Sequence, residues 1–375
     1  MAETATAAEL IDRAVEAGVV PGAVLAAGRR HPEPLLRHVA GDAQRDADAR
    51  RPMTADTVFD LASLTKVVAT LPALLQLVGR TEVALDEPVR RYLPAFAGPG
   101  KDQVTVRQLL LHTSGLPDGR KYYQQLRDPA AIRAAVLAEP LVARPGEVFC
   151  YSDVGFITLG ELAATVAGCG LDEFVQEVVC GPLGMSATRY LPPGEWAGRM
   201  AATEPVRGRA KVGVVHDENT EAMGGVAGQA GLFGTAADLG RYASVWAGDG
   251  PPAWAGDGAS GSAGDGAPGW AGDGPPARAL RAEALRCQTD GLDGEGRRGL
   301  GWGLRGDVWD NMGDGWPASG AGHTGFTGTS LSVDPDTGLW AVLLTNAVHF
   351  GRGSVNSVVR LRKQVHAAVA AALLG

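Results

Sequence analysis

The segment "ASLTKVV" (62–68) places a serine and a lysine, Ser63 and Lys66, three residues apart. On a helix that spacing puts both side chains on one face, one turn apart. A serine hydroxyl becomes a nucleophile when a neighbouring base takes its proton. A lysine can be that base only if burial or nearby positive charge lowers its pKa. A helix N-terminus also favours negative charge developing beside Ser63. Taken alone the pair is a weak signal, because the same spacing on a surface helix is simply two solvated residues. Further along, "GEVFCYSDVGF" (146–156) sets a phenol, a hydroxyl and a carboxylate side by side in Tyr151, Ser152 and Asp153. Such groups can move protons. Equally, Asp153 reads as an N-cap acid for a helix beginning at Val154. A third polar cluster, "GHTGFTG" (322–328), opens a strand with His323, Thr324 and Gly325.

The elements that must position these residues are legible in outline. "PGAVLAAG" (21–28) predicts a strand that returns near "PLLRHVAG" (34–41). "FDLASLTKVVATLPALLQLV" (59–78) predicts a helix with Ser63 in its first turn. "VTVRQLLLHTSGLP" (104–117) starts as a short helix and stops at Gly115 and Pro117. Residues 154–168 and 171–180 also predict helices, and 322–348 reads as a β-hairpin turning at "DPDTG" (334–338). Amphipathic helices open and close the chain.

At 375 residues there is room for two lobes, or for one large domain with an insertion. A net charge of -8 argues against a nucleic-acid binder. The apolar stretch 67–79 contains Pro72 and Gln76 and is short for a bilayer, so no membrane span is expected there. The first 24 residues read as an amphipathic helix rather than a secretory signal. Four widely spaced cysteines, Cys150, Cys169, Cys180 and Cys287, suggest free thiols, and the expected compartment is cytoplasmic. Between 246 and 277 an eight-residue unit recurs four times, rich in Gly, Pro, Asp and Ala. That composition predicts a solvated, flexible insertion. The functional alternative is a lid using Trp246, Trp254 and Trp270.

In this order the three polar segments resemble the signature of the serine β-lactamase and penicillin-binding-protein superfamily: SxxK, a YxN-type element, and KTG. The leading tyrosine is similar to the class C β-lactamase and esterase branch. "VPGAVLAAG", "LDEPVRRYLPAF", "LLLHTSGLP", "GPLGMSATRY" and "VHDENTEAMGGVAGQAGLFGTAADLGRYA" are also similar to family phrases. The resemblance implies an α/β (α+β) two-lobe fold, an antiparallel sheet flanked by helices plus an all-helical lobe. The sheet lobe would comprise residues 1–60 and 205–375, and the helical lobe 61–204. Ser63 would be the acylated nucleophile. Lys66 and Tyr151 would share its proton, and the backbone N–H groups of Ser63 and Phe326 would form the oxyanion hole. Asp153, His323, Thr324 and Gly325 would face substrate. No metal or organic cofactor is implied.

Two positions depart from the pattern: His323 stands where lysine is expected, and Asp153 where asparagine is expected. A site charge of about +2 thereby falls to about zero unless His323 is protonated or Arg352 reaches in, which weakens attraction for a substrate carboxylate. Asp153 beside Lys66 favours the ammonium and makes Tyr151 the expected base. His323 would be expected to switch charge near pH 6–7. The expected activity is a serine acyl-enzyme hydrolase for a small ester or amide, not primarily a β-lactamase. The alternatives are a transacylase passing the acyl group to an amine or alcohol, and a penicillin-binding sensor that acylates and stalls. Of the remaining polar residues, His216, Asp217 and Glu218 are poorly spaced for zinc. His112 reads as structural and Cys150 as a small hydrophobe, while Asn346 and His349, which follow the second hairpin strand, could contact substrate or be no more than strand-end polar groups.

Overall fold

The computed structural model describes residues 5–46, 49–206, 209–248, 269–272, 274–294 and 296–375. Its strands run in chain order β1 (Gly22–Arg29), β2 (Leu36–Arg45), β3 (Arg50–Pro52), β4 (Phe59–Asp60), β5 (Arg189–Tyr190) and β6 (Thr203–Val206). They continue with β7 (Arg209–Lys211), β8 (Leu232–Gly234), β9 (Gly303–Leu304), β10 (Ala321–Thr324), β11 (Ser330–Val333) and β12 (Leu339–Thr345). Seven of them form one antiparallel sheet in the order β3-β2-β1-β12-β11-β10-β9. The chain's two ends therefore meet at its centre, where Ala23 lies opposite Thr345 and Gly28 opposite Trp340. The 334–338 turn joins β11 to β12 as the sequence predicts, with the Asp334 carboxylate accepting from the Thr337 N–H (2.9 Å).

Alternation along β1 and β12 assigns each face a partner. Ala23, Leu25, Ala27, Leu339, Ala341 and Leu343 pack with the terminal helices Ala7–Glu16 and Val355–Leu374. Val24, Ala26, Trp340, Val342 and Leu344 face the other way, into the main core with the helix Ala236–Ala247. Both faces are covered, which is why β1 reads as a nearly continuous apolar run. Gly28 is required there: a Cβ would stand 2.7 Å from the Trp340 ring.

Between Ala62 and Cys180 the described secondary structure is helical. The helical run Ala62–Gly79 is long and apolar enough to cross a bilayer, yet 83% of it is buried inside the protein. It is longer than the apolar stretch 67–79 suggests, because it begins at the Ser63 turn. The helix Val106–Leu110 is shorter than expected. It opens with a capping box between Thr105 and Gln108 and ends before His112, whose φ is +59°.

The octapeptide segment holds a correction. Trp246, which opens the first unit, lies in the last turn of the helix Ala236–Ala247 and Trp270 opens the fourth unit, and both are buried with ring centroids 5.9 Å apart. Tyr242 and Trp302 pack against them. These two tryptophans are core anchors, not lid residues, because their rings pack on one another within the main core. Trp254 lies outside the described residues.

Candidate active site

Ser63 sits on a short 3₁₀ turn, Ala62–Leu64, entered directly from β4. The Asp60 carboxylate holds this entry, accepting the N–H groups of Ala62 (2.8 Å) and His216 (2.6 Å). Ala62 takes a φ of +47°, a conformation a side chain makes costly and that the surrounding bonds must impose. Beyond Ser63 the chain widens into a π turn, Lys66–Thr70, where the Leu71 N–H reaches back to the Lys66 carbonyl. Pro72 then opens the regular helix Leu71–Gly79. Wide turns of this kind recur at functional positions.

Lys66 is fully buried. Its Nζ donates to Ser63 Oγ (3.1 Å), to Asp153 Oδ1 (2.6 Å) and to the Gln229 carbonyl (3.3 Å). It also lies 4.9 Å from the centre of the Tyr151 ring. Burial pulls the amine toward neutrality, but the Asp153 carboxylate and the Tyr151 phenol outweigh it, so its pKa lies above the ordinary lysine value. Lys66 is therefore an ammonium that donates to the serine oxygen. A group in that state cannot also be the base that takes the serine proton.

Tyr151 is held in a stack of rings. His112 lies 4.5 Å away between centroids, Trp309 5.2 Å edge-on, and His323 6.0 Å. His112 Nδ1 accepts the Ser152 N–H (2.9 Å), which fixes the residue next to Tyr151. Burial first, then Arg298 and Lys66, keeps His112 well below the ordinary histidine pKa. The cap is corrected here. Ser152, not Asp153, caps the helix Asp153–Ala167, its Oγ accepting from the Gly155 N–H (3.0 Å) and donating to the Pro117 carbonyl (2.6 Å). Asp153 is the first helical residue, which leaves its carboxylate for Lys66.

On the opposite wall, β10 brings His323, Thr324 and Gly325 to the cavity. Gly325 permits a close approach to the serine turn: a Cβ there would lie 2.4 Å from the Leu61 carbonyl and 2.1 Å from Thr329 Oγ1. Arg362, from the C-terminal helix, donates to the carbonyls of Gly325 (2.8 Å) and Thr329 (2.9 Å), which fixes the turn carrying Phe326. Burial lowers its pKa to about 10. Among the described residues, neither the Ser63 nor the Phe326 backbone N–H has a protein acceptor.

Three expectations need correction. His323 is not a switch near pH 6–7. Its Nδ1–H donates to the Thr324 carbonyl (2.9 Å), its Nε2 is buried without a partner among the described residues, and burial, Lys66 and Arg298 push its pKa well below the ordinary value. Arg352 is engaged elsewhere, with Glu204 (2.7 Å) and Glu218 (2.5 Å). Asn346 does not face substrate: its Nδ2 donates to the Asp42 and Ala43 carbonyls (3.4 and 3.1 Å), and the residue lies off the cavity lining. His349 likewise accepts the Arg45 N–H (2.9 Å). His216, Asp217 and Glu218 splay apart: His216 meets Glu204 (3.1 Å), Asp217 caps the helix Glu218–Ala222, and Glu218 meets Arg352.

The sequence reading missed Arg298, Asp307 and Trp309. Arg298 is buried, paired with Asp307 (3.1 Å), and its guanidinium lies 5.3–5.8 Å from the ring centres of Phe149, Trp309 and Tyr151. It lines the cavity with Ser63, Tyr151 and His323. It restores a cation near the position where the third motif lacks one. The only signal was "GRRGLGW" (296–302), an arginine pair in a glycine-rich stretch that reads as a solvated loop.

The cavity measures about 330 Å³. Its parts amount to an oriented nucleophile, an ammonium beneath it, a phenol facing the same space and two free backbone donors. That set suits formation of an acyl-enzyme.

Comparison with known proteins agrees. Residues 7–363 match the Beta-lactamase family. A relative from Escherichia coli K12, provisionally named a D-alanyl-D-alanine carboxypeptidase, is 29% identical over 328 residues, covering 79% of this chain and 70% of its own. A class C β-lactamase from Rhodobacter sphaeroides superimposes with a TM-score of 0.71 at 19% identity, covering 98% and 99% of the two chains. EstCE1, a hydrolase with promiscuous acyltransferase activity, gives 0.68 at 21% identity over 96% of each. The fold and the motifs together place this chain in the β-lactamase family of serine hydrolases and acyltransferases.

Proposed function

We propose that this protein forms an acyl-enzyme at Ser63 from a small, uncharged ester or amide and releases it to water. One geometry carries the reading: a fully buried Lys66 ammonium bridges Ser63 Oγ and Asp153 while Tyr151 faces the same cavity. Tyr151, in its phenolate form, takes the Ser63 proton and becomes a phenol as the serine oxygen attacks the carbonyl. The Ser63 and Phe326 N–H groups receive the developing oxyanion, and one such donor is typically worth about 3–4 kcal/mol. Tyr151 then hands the proton to the departing alcohol or amine, and the cycle repeats with water.

Electrostatics support a neutral substrate. Lys66 is matched by Asp153 and Arg298 by Asp307, while Arg362 is engaged by two backbone carbonyls. His323 is held neutral. None of these is a lysine presented to a substrate carboxylate, which disfavours β-lactams and peptide C-termini.

Intact-mass analysis of Ser63 labelling by activated esters, D-amino-acid amides and β-lactams tests this. Fast adduct formation and decay with neutral esters is expected, absent in Ser63→Ala. A persistent β-lactam adduct with no ester turnover would replace the reading with that of an acylated sensor. Tyr151→Phe should slow acylation about 10²–10⁴-fold, and near-normal acylation would remove Tyr151 from the base role.

A further inference from the structure

The acyl-enzyme reading leaves open what departs from the acyl group and what collects it, and the cavity mouth bears on both. Val308, Trp309, Phe326 and Val359 are among the few large apolar side chains exposed on the described surface, at 51%, 52%, 47% and 38%. All four line the cavity that holds Ser63 and Tyr151. They come from three separate places: the loop before β10, the turn after it, and the C-terminal helix. Apolar groups converging on a reactive cavity are a binding surface rather than chance exposure.

Trp309 is built in place. Its backbone N–H donates to Asp307 Oδ1 (2.8 Å), the same oxygen that pairs with Arg298. The Arg298 guanidinium lies 5.4 Å from the indole centre, and the indole meets the Tyr151 ring edge-on at 5.2 Å. One buried ion pair thus positions both the phenol and the indole beside it.

The departing group must lie within hydrogen-bond reach of the phenol that protonates it. The side of the cavity next to Tyr151 is the Val308–Trp309 wall. We propose that Trp309, with Val308 and Val359, forms a subsite for an apolar alcohol, used by the leaving group in acylation and by an acceptor alcohol in deacylation. This rests on the acyl-enzyme reading and deepens it by naming the class of alcohol taken up where an alcohol replaces water in deacylation. In that step the acceptor oxygen attacks the acyl carbon and its proton passes to Tyr151. The bond from the acyl carbon to Ser63 Oγ breaks, and Tyr151 returns the proton to Ser63. A new ester and free serine result, with no oxidant, reductant or cofactor consumed. Microscopic reversibility brings the acceptor in by the route the leaving group took.

The experiment loads Ser63 with p-nitrophenyl acetate and offers equal concentrations of 2-phenylethanol or glycerol, measuring ester and acetate formed. Wild-type protein is expected to transfer at least about tenfold more acetyl to 2-phenylethanol than to glycerol, in the range one apolar contact discriminates. Trp309→Ala should abolish that preference while the Ser63 adduct still forms, and Trp309→Phe should keep most of it. Because the Trp309 side chain is half exposed, both variants are expected to fold. An adduct that partitions without regard to the alcohol, or a preference that survives Trp309→Ala, overturns the subsite and leaves the acyl-enzyme standing. Failure to label Ser63 at all overturns both.

Discussion

Two ion pairs border the same cavity and are built oppositely. In Lys66–Asp153 (2.6 Å) the lysine side chain is fully buried while the carboxylate is 41% exposed. In Arg298–Asp307 (3.1 Å) both side chains are sealed, at 4% and 1%. The first is open toward the reacting groups: its cation also touches Ser63 Oγ, and its anion sits at a helix start in reach of solvent. The second is closed on itself and on backbone, with Asp307 accepting the N–H groups of Arg297 (2.8 Å) and Trp309 (2.8 Å) as well. A buried pair adds little net stability but is costly to break from one side, because the remaining charge has no solvent. The open pair is therefore where chemistry is expected to fail on mutation, and the closed pair is where folding is expected to fail.

The largest separation of the two should come from Lys66→Met. It removes the buried cation and leaves a carboxylate that water can reach. The rate of ester turnover should fall about 10³–10⁴-fold with little change in the urea midpoint. A large loss of stability would make Lys66–Asp153 structural after all.

Arg298→Met should act the other way. Asp307 is left buried without its partner, and unfolding in urea should show a loss of about 3–5 kcal/mol. Arg298→Met with Asp307→Leu should recover much of it, since replacing both partners by apolar groups removes the stranded charge. No recovery would mean that Arg298 stabilises through its aromatic neighbours instead.

Acid should find the same interior. The pKa of His366, under the sheet, is lowered by burial to about 4, and those of His112 and His323 are held well below the usual value. Below pH 6.5 the unfolded chain takes up protons that these folded histidines refuse, so stability present above 6.5 is lost on acidification. His366 alone should cost about 2 kcal/mol at pH 5. A thermal midpoint unchanged between pH 8 and pH 5 would contradict it.

The subtlest probe is Asp153→Asn. With the carboxylate gone, burial acts on Lys66 against Tyr151 alone and its pKa falls. The alkaline limb of the pH–rate profile should move to lower pH. The pair's own contribution to stability is present below the ordinary lysine value and is lost only as pH rises through the raised one. An unmoved limb would mean Asp153 is not what holds the ammonium.

Ser63, Lys66 and Tyr151 were legible as candidates because their segments, taken in order, resemble the motifs of a known family, whereas the spacing of Ser63 and Lys66 alone is a weak signal. The β11–β12 turn was legible from its local turn residues. Asn346 misled because a strand-end polar group carries no sign of which neighbour it will meet. Here that neighbour is β2, some three hundred residues earlier. Trp246 and Trp270 misled because the glycine and proline around them dominate composition, whereas burial is decided by what each indole can reach.

By itself, the sequence determined the hairpins, which depend on turn residues and on alternation along one strand, and, through the resemblance of its ordered motifs, it marked Ser63, Lys66 and Tyr151 as candidate site residues. It also determined that the site lacks a third-motif lysine. Only the tertiary structure decided the charge states and the walls. Lys66 is an ammonium because Asp153 lies 2.6 Å away across 87 positions of chain. His323 is neutral because the fold buries it near Lys66 and Arg298. Coulombic and desolvation effects fall off over distances in space, and residue spacing alone does not encode those distances.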